Sequence, residues 1–129
     1  MSNNNQNKQI KVALADDHVL LRNALANLID NFENCQVIHQ SENGKELLNK
    51  ISNGSIPDVV LLDLNMPIMN GFETANELQK KYSHVAVLML TMYDSELTLI
   101  QLLQAGVKGF LKKDIHPSEL KFALQARSE

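Results

Sequence analysis

The sequence predicts a doubly wound α/β fold: five parallel strands in the order 2-1-3-4-5, with helices on both faces. Three observations carry this. Short apolar runs alternate five times with amphipathic stretches, the pattern of consecutive βα units joined by right-handed crossovers. The first, third and fourth runs are apolar almost throughout, as strands buried on both faces must be. The second run is half polar and the fifth is short, which places those two at the sheet edges.

The elements follow in order. Ile10–Ala15 forms the first strand. Val19–Phe32 is a helix in which Leu21, Ala24, Leu25, Leu28 and Phe32 share one face. Cys35–Gln40 is the second strand and Gly44–Ser52 a short helix. Val59–Leu64 is the third strand, Gly71–Tyr82 a helix and Val85–Thr91 the fourth strand. Ser95–Ala105 is a helix ended by Gly106, whose freedom at positive φ suits a helix stop. On that helix Leu99, Ile100 and Leu103 are expected to face the core, with Leu97 and Leu102 towards its flanks. Gly109–Lys112 is the fifth strand, and Pro117 opens a final helix running towards Arg127.

Length and composition fit this plan. The chain has 129 residues, 44% of them hydrophobic, which is enough for one core and one domain. Residues 1–9 are polar and rich in Asn and Gln, and read as a disordered tail ahead of a domain over 10–129. Twelve basic against fifteen acidic residues give a net charge of −3, so a basic nucleic-acid footprint is absent. A DNA-binding module would lie outside this chain. One cysteine, Cys35, excludes an internal disulfide and a Cys-based zinc site, and reads as a small buried strand residue. The four histidines, His18, His39, His84 and His116, show no zinc spacing. No apolar run is long enough to cross a bilayer, and no signal peptide opens the chain. A cytoplasmic protein with no membrane partner is the expectation.

Chemistry gathers where the strands end. The first strand ends in Asp16-Asp17, the third in Asp63, the fourth in Thr91 and the fifth in Lys112-Lys113. In the order 2-1-3-4-5 these ends are neighbours at the switch point, where such sheets bind ligands. Clustered carboxylates repel unless a hard divalent cation such as Mg²⁺ sits among them. A carboxylate can attack phosphorus, while a lysine and a threonine hold the transferred oxygens. Each residue alone has a plainer reading: a helix N-cap for Asp16 or Asp17, a turn residue for Asp63, a strand residue for Thr91, a surface lysine for either Lys112 or Lys113. Together they describe a phosphoryl-transfer site.

These residues resemble the receiver domain of two-component response regulators, a CheY-like fold of the flavodoxin type. The matching stretches are Val12-Ala13-Leu14-Ala15-Asp16-Asp17-His18, Pro57-Asp58-Val59-Val60-Leu61-Leu62-Asp63-Leu64-Asn65-Met66-Pro67, Leu90-Thr91, and Ala105-Gly106 followed by Gly109-Phe110-Leu111-Lys112-Lys113. Asp16-Asp17-His18-Val19-Leu20-Leu21-Arg22 and Leu90-Thr91-Met92-Tyr93-Asp94 are most similar to the NarL/LuxR/FixJ subfamily, which carries a helix-turn-helix output domain. The resemblance implies that Asp63 is the phosphoacceptor. It implies Mg²⁺ held by Asp17, Asp63 and the backbone carbonyl of Asn65, with Asp16 acting through water. It makes Thr91, Lys113 and Phe110 the phosphoryl-binding and switch residues. It implies a sensor histidine kinase as partner, homodimerisation on phosphorylation as a further option, and DNA contact only through a C-terminal domain outside this chain, so that the chain is the N-terminal part of a longer regulator. It implies a signalling domain that promotes only its own phosphorylation and dephosphorylation.

Asp114 follows Lys113 where many members of the family carry a proline, which leaves the isomer of that peptide bond open. Phe110 carries no hydroxyl, so a tyrosine-type hydrogen-bond switch is excluded. Other function classes fit less well. A haloacid-dehalogenase-type phosphatase needs an acid two residues after its nucleophile, where this chain has Asn65. A flavin mononucleotide carrier needs a phosphate-cradling first loop, which Asp16-Asp17 would repel. A stand-alone or pseudo-receiver acting by protein–protein contact is the remaining alternative.

Overall fold

The computed structural model describes residues 9–92, 100, 101 and 103–127. Five parallel strands, β1 (Ile10–Ala15), β2 (Cys35–Ser41), β3 (Val59–Asp63), β4 (Ala86–Thr91) and β5 (Gly109–Lys112), form one sheet in the order β2-β1-β3-β4-β5. Helices α1 (Val19–Asp30), α2 (Gly44–Ser52) and α3 (Gly71–Lys81) connect them, and a C-terminal helix (Pro117–Arg127) closes the chain. Residues 100, 101, 103 and 104 are helical as well. Residues 1–8 of the expected polar tail at 1–9, and Leu97, Leu99 and Leu102, lie outside the described residues.

Alternation along each strand divides the core into two layers. Ala13, Ala15, Val60, Leu62, Val87 and Met89 point to one face, where Leu47 and Ile51 of α2 and Ala75 and Leu78 of α3 cover them. Val12, Leu14, Val59, Leu61, Leu88 and Leu90 point to the other, under Ala26 and Ile29 of α1 and Leu120 and Leu124 of the C-terminal helix. Every residue of β3 and β4 is buried. Each fully buried leucine contributes about 1.5–3 kcal/mol, so the central strands anchor the fold. The edge strand β2 slips register between Val12 and Ala13 of β1, whose partners are Val37 and His39.

Helix starts are fixed locally. Asn70 and Glu73 form a reciprocal capping box at α3, and Asn43 accepts from the Glu46 N–H at α2. Gly106 takes φ +86°, and its N–H donates to the Leu103 carbonyl.

Two expectations need correction. Ile100 and Leu103 are 45% and 59% exposed, not in the core. The segment has apolar residues on several faces, so periodicity does not fix which face turns inward; its anchors are Ala105 and Val107, both buried. In α1 the buried residues are Ala26 and Ile29, while Ala24 is exposed. A stripe one residue further round the helix meets the sheet, and the flanking Leu25, Leu28 and Phe32 are half-buried against it.

Candidate functional site

The carboxyl ends of β1, β3, β4 and β5 bring five of the expected residues together. Asp63 ends β3 and is 3% exposed. Asp16 follows β1 and is 1% exposed. Thr91 ends β4 and is buried. Lys113 follows β5, where its N–H donates to the Thr91 carbonyl at 3.2 Å. Its Nζ lies 3.0 Å from Asp63 Oδ1 and 3.6 Å from Asp16 Oδ2. Lys112, the other candidate by charge, is exposed at the end of β5. Asp17 stands at the mouth with its side chain 38% exposed. Asn65 is exposed just beyond β3. Phe110 pairs in register with Met89 and packs, half-buried, on the layer under α2 and α3.

The loop after β1 is held tightly. Asp16 Oδ1 accepts the His18 N–H at 2.8 Å, the two-residue side-chain turn that aspartate favours. It also lies 3.2 Å from His18 Nδ1. Arg22, one turn into α1, donates from its guanidinium to the Asp16 carbonyl at 2.8 Å. Neither His18 nor Arg22 stood among the expected site residues. For Arg22 the usable signal was spacing: one helical turn past His18, an arginine reaches back over the loop that opens the helix.

Charge is unbalanced inside the pocket. Asp16 Oδ2 and Asp63 Oδ2 are buried and have no hydrogen-bond partner. Burial pushes the Asp63 carboxyl above its ordinary pKa; the Lys113 hydrogen bond and charge oppose that, and the charges of Asp16 and Asp17 add to it. One oxygen from each of Asp16, Asp17 and Asp63 and one nitrogen of His18 lie within 4.8 Å of one another. Orphaned buried carboxylate oxygens in an oxygen-rich set fit a hard divalent cation of the Mg²⁺ type.

The loop after β3 is strained. Met69 N–H donates to the Pro67 carbonyl at 2.6 Å, closing a three-residue turn around Ile68 at φ +68°. A β-branched residue there costs about 1–2 kcal/mol. Gly71 then approaches so closely that a Cβ would stand 2.7 Å from the Asp63 carbonyl oxygen. The peptide bonds among the described residues, Lys113–Asp114 included, are trans.

Fold and pocket together define a class, and comparison with known proteins agrees. Residues 12–125 match the response regulator receiver domain, and the chain belongs to that family. It is 34% identical over 113 residues to the nitrate/nitrite response regulator protein NarL of Escherichia coli K12, covering 88% of this chain and 52% of that protein. It is 32% identical over 116 residues to the transcriptional regulatory protein YdfI of Bacillus subtilis, covering 90% of this chain and 54% of that one. Among solved structures it resembles the signal receiver domain of the response regulator NarL from Mycobacterium tuberculosis, with a TM-score of 0.87, 30% identity, and 94% and 97% of the two chains covered. The chain is a receiver domain of the NarL/LuxR type, a signalling domain. It spans about half the length of the curated relatives it matches. No helix among the described residues is long and apolar enough to cross a membrane.

Proposed function

We propose that this domain is a phosphorylation switch whose acceptor is Asp63. The observation that carries the reading is a buried carboxylate, at a strand end, sharing its pocket with Asp16, Asp17, Thr91 and Lys113. A carboxylate oxygen of Asp63 attacks the phosphorus of a phosphohistidine or acyl phosphate. The new O–P bond forms as the P–N or P–O bond to the donor breaks, and the donor leaves with that electron pair. Asp17, Asp63 and the Asn65 carbonyl would hold Mg²⁺, with Asp16 linked through water. When bound, the ion neutralises the charge that gathers on the transferred oxygens.

Lys113 supplies the matching positive charge from the chain, and Thr91 donates its hydroxyl to a phosphoryl oxygen. The modification adds about one to two negative charges beside β4 and β5. Thr91 and Lys113 move towards them, and Phe110 follows the space that Thr91 vacates. The segment around Ile100 and Leu103 then shifts between two packings.

The donor is a sensor histidine kinase in the cytoplasm. A protein that brings its phosphohistidine to Asp63 must touch the rim of the pocket. Val19 and Leu20 follow the loop after β1, Ile68 lies in the loop after β3 and Met92 follows Thr91, and all four are exposed. Such a set of large apolar residues is a protein-docking feature. Output runs through a DNA-binding domain, as the transcriptional relatives suggest by name.

Beryllofluoride with Mg²⁺, a phosphoryl mimic, tests this by NMR. The amides of Thr91 and Lys113 are expected to shift on binding, and Asp63→Asn to abolish the response. No binding by the wild-type chain would favour a pseudo-receiver that works by surface contact alone.

A further inference from the structure

We propose that His18 is a ligand of the divalent cation in this pocket, through Nδ1, and that it biases the site towards first-row transition ions such as Mn²⁺ over Mg²⁺. This rests on the reading of the pocket as a cation site. Three observations carry it. His18 Nδ1 lies 3.2 Å from Asp16 Oδ1 and 3.7 Å from Asp17 Oδ1. A ring nitrogen of His18 also belongs to the set of ligand atoms, with one carboxylate oxygen each from Asp16, Asp17 and Asp63, that lie within 4.8 Å of one another. Asp16 Oδ2 and Asp63 Oδ2 are buried without a hydrogen-bond partner, although Lys113 Nζ lies 3.6 Å from Asp16 Oδ2, so acceptor capacity for a cation remains in the pocket.

The spacing suits one shared ion. An octahedral shell of about 2.1 Å radius places neighbouring ligands about 3 Å apart and opposite ligands about 4.2 Å apart. The separations of His18 Nδ1 from Asp16 Oδ1 and Asp17 Oδ1, 3.2 and 3.7 Å, lie between those two values, and the whole set is bounded by 4.8 Å. His18 is held there by its own backbone, since its N–H is bonded to Asp16. Its ring is 66% exposed, so it reaches the ion from the solvent side, beside Asp17. Ligation needs the Nδ1 lone pair. The ring proton then sits on Nε2, where water accepts it, and no net proton is released from a neutral imidazole.

Chemistry supplies the selectivity. Mg²⁺ prefers oxygen ligands and gains little from a nitrogen. Imidazole raises affinity for transition ions along the first row. Replacing one water by His18 therefore separates ions that the carboxylates alone treat alike.

The test compares wild type with His18→Gln, with Asp17→Asn as control. Free Mn²⁺ is read by electron paramagnetic resonance during titration, and again with Mg²⁺ competing. The Mn²⁺-to-Mg²⁺ affinity ratio is expected to fall about tenfold in His18→Gln, while Mg²⁺ affinity changes by less than about twofold. Electron spin echo modulation from ¹⁴N is expected on bound Mn²⁺ in the wild type and absent in His18→Gln. Asp17→Asn should weaken both ions. An unchanged ratio, or bound Mn²⁺ without nitrogen modulation in the wild type, would overturn the role of His18 and leave the cation site standing. Failure of the wild type to bind either ion would overturn the cation site itself.

Discussion

Asp63 is caught between a lysine that favours its charge and a burial that opposes it. Burial is the larger effect, so its folded-state pKa lies above the ordinary carboxylate value. The native state then holds its proton more firmly than the unfolded chain does. The stability this gives is complete at acid pH and is lost as pH rises through the raised pKa. In cation-free buffer at neutral pH, Asp63→Asn is expected to raise the melting temperature by a few degrees. The gain should shrink as pH falls through the carboxylate range, which melting curves across pH will show. Ile68 stores strain of a different kind. Its side chain is 77% exposed, so Ile68→Asn loses little burial and relieves the φ +68° backbone. We expect about 1 kcal/mol of added stability, read by urea unfolding. Asp63 could be found in the sequence because its chemistry and its place after an apolar run are both written there. The strain at Ile68 could not, since a β-branched residue at positive φ runs against every local preference. The contact of His18 with Asp16 was half legible: its place next to Asp16-Asp17 in the sequence could be read, the partner of its ring could not.

At the scale of elements, the site depends on how closely α3 follows β3. Gly71 lies against the Asp63 carbonyl, Leu64 Cα and the Met89 sulfur, and its N–H donates to the Leu64 carbonyl. Two of those three neighbours are backbone, which cannot swing aside. Gly71→Ala is therefore expected to cost about 1–3 kcal/mol in urea unfolding, and to slow phosphorylation by displacing the loop. Strands were the most legible elements. An apolar run buried on both faces, like Val59–Asp63, admits no other placement in an α/β fold. Helix existence was legible and helix facing was not. In α1 the stripe that meets the sheet contains Ala26 and Ile29, while Ala24 of the expected stripe faces water. Near Ile100 and Leu103 the error has the same origin. Leucine on several faces leaves the hydrophobic direction undetermined until the sheet edge selects one.

For the whole molecule, the strand order creates the pocket. Residues far apart in sequence, from Asp16 to Lys113, meet because parallel strands all end at one edge and β1 and β3 lie side by side at its centre. This convergence was the most informative property of the sequence, since it turns separate residues at strand ends into one constellation. The electrostatics inside that constellation were not legible. Position at the strand end left Lys112 and Lys113 both open, and only the resemblance named Lys113; which carboxylate oxygens lack a hydrogen-bond partner depends on side-chain packing at the ångström scale. The account stands on Asp63 as the acceptor. The most direct measurement is the intact mass of the chain after incubation with acetyl phosphate and Mg²⁺, beside Asp63→Asn under the same conditions. One phosphoryl adduct on the wild type, absent from the variant and from samples without divalent cation, is the predicted result. An adduct that survives Asp63→Asn would contradict the account.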